Sequence, residues 1–290
     1  MSASDPSQAT SPSAAERADR RALLATCVAA AARAADILRA GAANLGQLTW
    51  DVKSPADFVS DVDRASERAI AALVRERHPE ARMVGEELSP DAATDLSGLV
   101  FVADPLDGTT NFLHGYPWYA VSIAALRDGQ ILAGAVLNAA TGELFTATAG
   151  GGARRAGEPI SVSTQTEPLR CLIGTGFPFK HTHLIAPYMA AFPEIMRTTA
   201  GVRRAGAAAL DLADVACGRF DAFWELSLAP WDVAAGLLLV REAGGLATDL
   251  DGHPAPVAHG PLVAGNPTMH AWLLHQLHRG AAPPPPSDAG

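Results

Sequence analysis

LVFVADPLDGTTNF, residues 99–112, decides how this chain is read. Its opening run, Leu99-Val100-Phe101-Val102-Ala103, is short, apolar and rich in β-formers, and predicts a buried strand whose end delivers Asp104. Asp107 follows three residues later. Between the two aspartates, Pro105-Leu106 predicts a rigid turn that aims both carboxylates and the Leu106 carbonyl at one point. Gly108-Thr109-Thr110 then opens a predicted helical turn, and the free amides of a helix start favour an anion.

Three other acidic clusters lie where strands end or helices begin: Asp57, Asp61 and Asp63 in KSPADFVSDVD (53–63), Glu86-Glu87 in VGEE, and Asp232 in PWDVAAG. Each by itself is an ordinary cap or turn residue. Taken together they form an all-oxygen donor set on separate segments, which suits a hard divalent cation such as Mg²⁺. No His/Cys set with ligand spacing competes. His114, His181 and His183 read as loop residues, and His270, His275 and His278 as residues of the last helix, where a C-terminal histidine suits the dipole.

Composition narrows the rest. The chain has 290 residues, 48% of them hydrophobic, and a net charge of −9. That length suits one large core or two subdomains sharing one. The acidic balance and the scattered basic residues argue against direct nucleic-acid binding. Arg154-Arg155 and Arg203-Arg204 are the nearest approach to basic patches and read as a loop and a helix start. Cys27, Cys171 and Cys217 share no metal-ligand spacing and sit among apolar residues, so reduced, buried thiols and a cytoplasmic location are expected. Arg20-Arg21 ahead of ALLATCVAAAA resembles a targeting signal, but the run is short and continues at helical spacing through Ile37 and Leu38. No stretch is long enough to span a membrane.

Helices are expected over about 16–39, 61–77, 185–196, 207–217 and 231–243, with a last one after Asn266-Pro267. Strands are expected at 81–85 and 99–103. YAVSIAAL, GQILAGAVLN and GELFTATAGGGA follow as antiparallel strands joined at Asp128-Gly129 and Thr141-Gly142. Further strands are expected at 172–175, 220–225, 246–249 and 261–264. Interleaved helices and hairpins predict an α/β layered sandwich with mixed sheets. The expected organisation is a disordered tail over 1–15, a single catalytic unit over 16–278 divided near residue 155, and a Pro-rich tail over 279–290.

DPLDGTTNFLHGYPWYAVSIA (104–124), with KSPADFVSDVD, VGEE, GTGFPF (174–179), RRAGAAALDLADVACGRFDAFWE (203–225) and PWDVAAGLLLVREAGG (230–245), resembles the inositol monophosphatase family of Mg²⁺-dependent, lithium-sensitive phosphatases. The resemblance runs over about residues 20–278. It implies an αβαβα order of layers, like that of the fructose-1,6-bisphosphatases, and a homodimer. It also implies two or three Mg²⁺ held by Glu86, Asp104, the Leu106 carbonyl, Asp107 and Asp232. Thr109, paired with Asp63, would help activate the attacking water, and the Gly108 and Thr109 amides would hold the phosphate. Glu225 and the Ala208 amide would face the substrate hydroxyls, joined by Asp107 and Asp232. Lys53 and Asp57 would lie on a mobile segment over the site. The implied substrate is a small phosphorylated polyol, inositol 1-phosphate first, with histidinol phosphate or another sugar phosphate as the alternative. A regulatory interaction protein that keeps the fold is the alternative of a different class. Ala207 departs from the pattern, because relatives often carry Ser or Thr there.

Overall fold

The computed structural model describes residues 12–48, 50–54, 57–89 and 95–281, with 47, 52–54, 57–59 and 280–281 described by backbone alone. The 29-residue α1 (Ala14–Ala42) begins at Ala14, two residues ahead of the expected start. Ser13 caps it, and Glu16 returns a hydrogen bond to the Ser13 N–H, so two N–H groups at its start are satisfied reciprocally. Its buried stripe is mostly alanine, with Leu23, Cys27 and Leu38, and such small side chains let it lie close to α2 (Asp61–Arg77) and the sheet beneath.

That sheet has seven strands in sequence order: β3 (Arg82–Gly85), β4 (Leu99–Asp107), β5 (Ala120–Arg127), β6 (Gln130–Asn138), β7 (Leu144–Thr148), β8 (Gly152–Arg155) and β9 (Glu158–Ile160). β3 and β4 are parallel and every later pair is antiparallel. Its neighbours explain the unbroken apolar run in β4. Phe101 and Ala103 pack beneath α1 and α2, whereas Val100 and Val102 face α5 (Ala208–Ala216) and α6 (Pro230–Glu242). Both faces are dry, so alternation disappears.

A second, five-stranded sheet lies beyond α5 and α6, in the order β11 (Gly201–Arg203), β10 (Leu172–Thr175), β12 (Ala222–Leu228), β14 (Gly260–Gly265), β13 (Leu246–Thr248). Phe223 and Leu262 face inward, while Trp224 and Val263 meet α4 (Ile185–Thr198) and α7 (Pro267–Ala281) on the outside. The layers therefore run α1/α2, large sheet, α5/α6, small sheet, α4/α7. This is the expected αβαβα sandwich.

Several local expectations needed correction. GELFTATAGGGA is two strands rather than one, broken at Gly150 and Gly152, whose positive φ values of 67° and 77° turn the chain. The large sheet continues past residue 155 to Ile160, and α7 runs past 278 to Ala281. The helical turn expected from Gly108 is the short α3 (Thr109–Leu113), whereas a hairpin of β1 (Trp50–Ser54) and β2 (Asp57–Ser60) and the strand β11 were not foreseen. They are too short to carry a period. His270 is not a C-terminal residue of its helix: it sits one turn in, buried, with Nε2 2.8 Å from the Thr248 hydroxyl.

The two helices of the middle layer meet closely at Gly236. A Cβ there would stand 2.4 Å from Leu212 Cδ1 and 2.7 Å from Leu212 Cβ, so α5 and α6 can touch only because the side chain is missing. Gly236→Val is expected to cost about 2–3 kcal/mol through overpacking, read as a lower urea midpoint at unchanged slope.

Candidate active site

Asp104 and Asp107 both belong to β4, which runs four residues further than the predicted strand. Asp104 pairs with Ser122 and Asp107 with Ala120, so three steps on one strand oppose two on the other. The Pro105-Leu106 pair is thus a bulge within the ladder, and a bulge re-aims side chains. It is pinned on both sides: the Leu106 N–H donates to Asp104 Oδ1 at 2.9 Å and the Ser66 hydroxyl to the Pro105 carbonyl at 2.9 Å. Gly108 follows at φ 89°, a left-handed turn that starts α3.

The surrounding elements bring the other residues to this point. Asp232, in the first turn of α6, accepts the Ala229 N–H at 2.7 Å and lines the same cavity as Asp104. Asp63 sits in the first turn of α2, accepts the Ser60 N–H at 2.9 Å, and takes the Thr109 hydroxyl at 3.1 Å; that hydroxyl also lies 3.0 Å from the Leu106 carbonyl. Glu86 occupies the turn after β3. Glu225 reaches in from β12, where Gly176 makes room: a Cβ on that glycine would fall 1.9 Å from Glu225 Oε2.

One cavity of about 850 Å³ is lined by Glu86, Asp104, Asp107, Glu225 and Asp232, together with Leu106, Gly108 and Thr109. Asp63 stands behind Thr109. The Ala208 amide, expected toward substrate, is instead engaged by Asp107: Oδ1 accepts Ala208 N–H at 3.2 Å and Oδ2 accepts Ala209 N–H at 2.8 Å. The reason is Ala207, which sits at the N-cap of α5 with no oxygen to offer, so a carboxylate from β4 caps the helix. The backbones of Lys53 and Asp57 lie in the β1–β2 hairpin; their side chains lie outside the described residues.

Glu67 was not foreseen. It is buried one turn beyond Asp63 on the same face of α2, and accepts the Glu87 N–H at 2.8 Å and the Leu88 N–H at 3.0 Å, fixing the turn that carries Glu86. The i, i+4 spacing of Asp63 and Glu67 was the signal that could have found it. Lys180, Arg204, His259 and Asp211 also line the cavity. Asp211 is buried with Oδ1 unpartnered among the described residues.

Crowding sets the electrostatics. Burial, then Glu86, Asp107 and Asp232, hold the Asp104 carboxyl well above the usual range. Burial and Asp232 push Asp107 up to about 7, against the two α5 amides. Burial and Asp232 raise Glu225 to about 8, opposed by Arg204 and Lys180. Asp63 rises chiefly through burial. An all-oxygen set whose members raise one another's pKa fits a hard divalent cation, which would relieve that repulsion. Among the described residues, three ligand atoms within 4.8 Å of one another occur elsewhere, at Asp249, Asp251 and His253. That trio is a surface turn, in which Asp249 Oδ1 accepts the N–H groups of Asp251 and His253.

A layered α/β domain with an acidic cavity at the mouth of its strands is a fold-and-site class that includes metal-assisted hydrolases. The chain belongs to the inositol monophosphatase family, whose model matches residues 19–281. The inositol-1-monophosphatase of Rhizobium meliloti is 43% identical over 260 residues, 90% of this chain and 97% of the relative. The putative Nus factor SuhB of Neisseria meningitidis serogroup B is 43% identical over 251 residues, 87% of this chain and 96% of the relative. The crystal structure of extragenic suppressor protein suhB from Bartonella henselae superposes with a TM-score of 0.83 at 39% identity, covering 89% of this chain and 99% of that one. Family membership supports phosphatase activity. No helix among the described residues is long and apolar enough to cross a membrane.

A raised carboxyl binds its proton more tightly folded than unfolded. Stability without divalent cation should therefore fall as pH rises from about 4, the ordinary carboxylate value, through about 7 for Asp107 and about 8 for Glu225. Urea midpoints of the chelator-treated protein should drop between pH 5 and pH 8, and Mg²⁺ should restore more at pH 8 than at pH 5. A flat profile would contradict the crowding.

Proposed function

We propose that this protein hydrolyses a phosphate monoester of a small polyol, inositol 1-phosphate first, to the alcohol and inorganic phosphate, with two or three Mg²⁺. The observation that carries the reading is the convergence of Glu86, Asp104, Asp107 and Asp232 on one cavity beside the Gly108-Thr109 turn. The carboxylates of those four residues and the Leu106 carbonyl would hold the cations. Cations bound there lower the pKa of water and offset charge on the leaving oxygen.

The protein's own groups position the reactants. The first N–H groups of α3 have no partner within the helix, so Gly108 and Thr109 offer donors to the phosphate oxygens. The Thr109 hydroxyl orients the attacking water, and Asp63, its hydrogen-bond partner, holds the proton that water gives up. Burial raises the Asp63 pKa, which strengthens it as a base for that proton. The water oxygen bonds to phosphorus, the ester P–O bond breaks, and the alcohol oxygen leaves on the opposite side and takes a proton. Glu225 and Asp232 face the alcohol half and can accept its hydroxyls.

Phosphate release should require Mg²⁺ and fall in millimolar Li⁺. Asp104→Asn, Asp63→Asn and Thr109→Val should each lower kcat by about a hundredfold or more. Turnover of inositol 1-phosphate that survives chelation would refute the reading, and comparison with histidinol phosphate ranks the two substrates.

The name Nus factor SuhB on a relative as similar as the inositol-1-monophosphatase favours a second reading, an interaction role carried by the same fold. Capture of a defined partner by Asp104→Asn as well as by wild type would support it. Loss of capture in that variant would tie binding to the occupied site.

A further inference from the structure

Asp63, Ser66 and Glu67 stand on one face of α2, at the i, i+3, i+4 spacing that sets helix residues side by side, and all three are buried. Each side chain ends on a different piece of the site. Asp63 takes the Thr109 hydroxyl at the start of α3, Ser66 holds the Pro105 carbonyl in the bulge of β4, and Glu67 takes two N–H groups from the turn after β3. One helix thus ties together the segments that carry Thr109, the Asp104 and Asp107 pair, and Glu86.

Glu67 is not among the residues that line the cavity, whereas Glu86 is the residue of its turn that lines it. Glu67 Oε2 accepts the Glu87 N–H at 2.8 Å and Oε1 the Leu88 N–H at 3.0 Å, so both oxygens grip the backbone that follows Glu86. The residue ahead of Glu86 is shaped to the same group. A Cβ on Gly85 would fall 2.1 Å from Glu67 Oε1 and 2.5 Å from its Cδ, so the carboxylate lies against bare backbone. Ser89 closes the far end of the turn: its hydroxyl accepts the Gly85 N–H at 3.1 Å and donates to the Met83 carbonyl at 3.2 Å.

Burying a carboxylate costs free energy that an apolar side chain of similar size would not. In return the charge makes two charge-assisted hydrogen bonds that fix the turn immediately beside Glu86. A carboxylate holds a cation well when its own orientation is fixed by its neighbours. On the reading proposed above, we infer that Glu67 is a positioning residue: through the N–H groups of Glu87 and Leu88 it holds the Glu86 carboxylate at the cavity, and so sets the affinity for Mg²⁺ without touching the ion. Gly85 supplies the space in which it does so.

The test is calorimetric titration of the chelator-stripped full chain with Mg²⁺, for wild type, Glu67→Gln, Gly85→Ala and the double variant. Thermal melts in chelator accompany it, with phosphate release from inositol 1-phosphate over a Mg²⁺ series. A carboxamide keeps the size of Glu67 but turns an NH₂ toward one of the two N–H groups, and a methyl on Gly85 displaces the carboxylate from both. Each single variant should weaken Mg²⁺ binding about tenfold or more, the usual loss when a group that orients a metal ligand is removed. At saturating Mg²⁺, kcat should return to within about threefold of wild type, because no group that touches substrate has changed. The double variant should bind no more weakly than the weaker single, since both changes act through one carboxylate. Should Glu67→Gln fail to fold, Gly85→Ala read against wild type carries the same comparison. Mg²⁺ binding unchanged in either single variant, whatever its melting temperature, overturns the inference and leaves the reading of the site standing. Losses that multiply in the double variant overturn it too, as does a kcat that stays low at saturating Mg²⁺. A wild type that takes up no Mg²⁺ and releases no phosphate ends the site reading and the inference together.

Discussion

Mutual repulsion among carboxylates in a space poor in water governs this molecule. Glu86, Asp104, Asp107, Glu225 and Asp232 meet in one cavity, where Glu86, Asp107 and Asp232 raise the proton affinity of Asp104, and Asp232 that of Asp107 and Glu225. Buried like charges cost several kcal/mol unless protons, donors or cations answer them. Backbone amides supply part of the answer, since Asp107 takes two N–H groups from α5 and Asp232 one from the start of α6. The two helices between the sheets are therefore tied to the acids they help to place.

That arrangement links packing to chemistry. The α5/α6 layer can approach the large sheet because Gly134 meets Ala235 with no side chain between, and within that layer α6 can approach α5 because Gly236 meets Leu212 in the same way. Were the layers held further apart, the Asp107 bonds to α5 could not form, and the start of that helix would have no cap. The bulge at Pro105-Leu106 plays the matching part within the sheet. It gives β4 one extra residue at its mouth, so Asp104 and Asp107 emerge together instead of on a regular pleat.

Much of this was legible from residues alone. The apolar run into Asp104, the long amphipathic or small-residue helices and the Asp128-Gly129 hairpin were visible because each is local: a period, a turn residue, a cap. The carboxylates themselves were legible as a donor set, and the cavity contains Glu86, Asp104, Asp107, Glu225 and Asp232 as a group. Less visible were contacts made across long intervals. Asp107 capping a helix a hundred residues away, Glu67 holding the Glu86 turn, and Arg204 leaning on Phe177 and Phe179 leave no mark on periodicity. Short pieces such as β11 and the β1–β2 hairpin fell below the length at which a pattern can be counted.

The sequence by itself determined most of the segments that become strands and helices, and that acids cluster at element ends. Those are properties of neighbours along the chain, set by side-chain shape, backbone freedom and water. Tertiary structure decided that the acids share one cavity and that the Ala208 amide serves Asp107. Those outcomes depend on the distance between layers, which is fixed only when five of them close around common cores and bring distant donors and acceptors within reach.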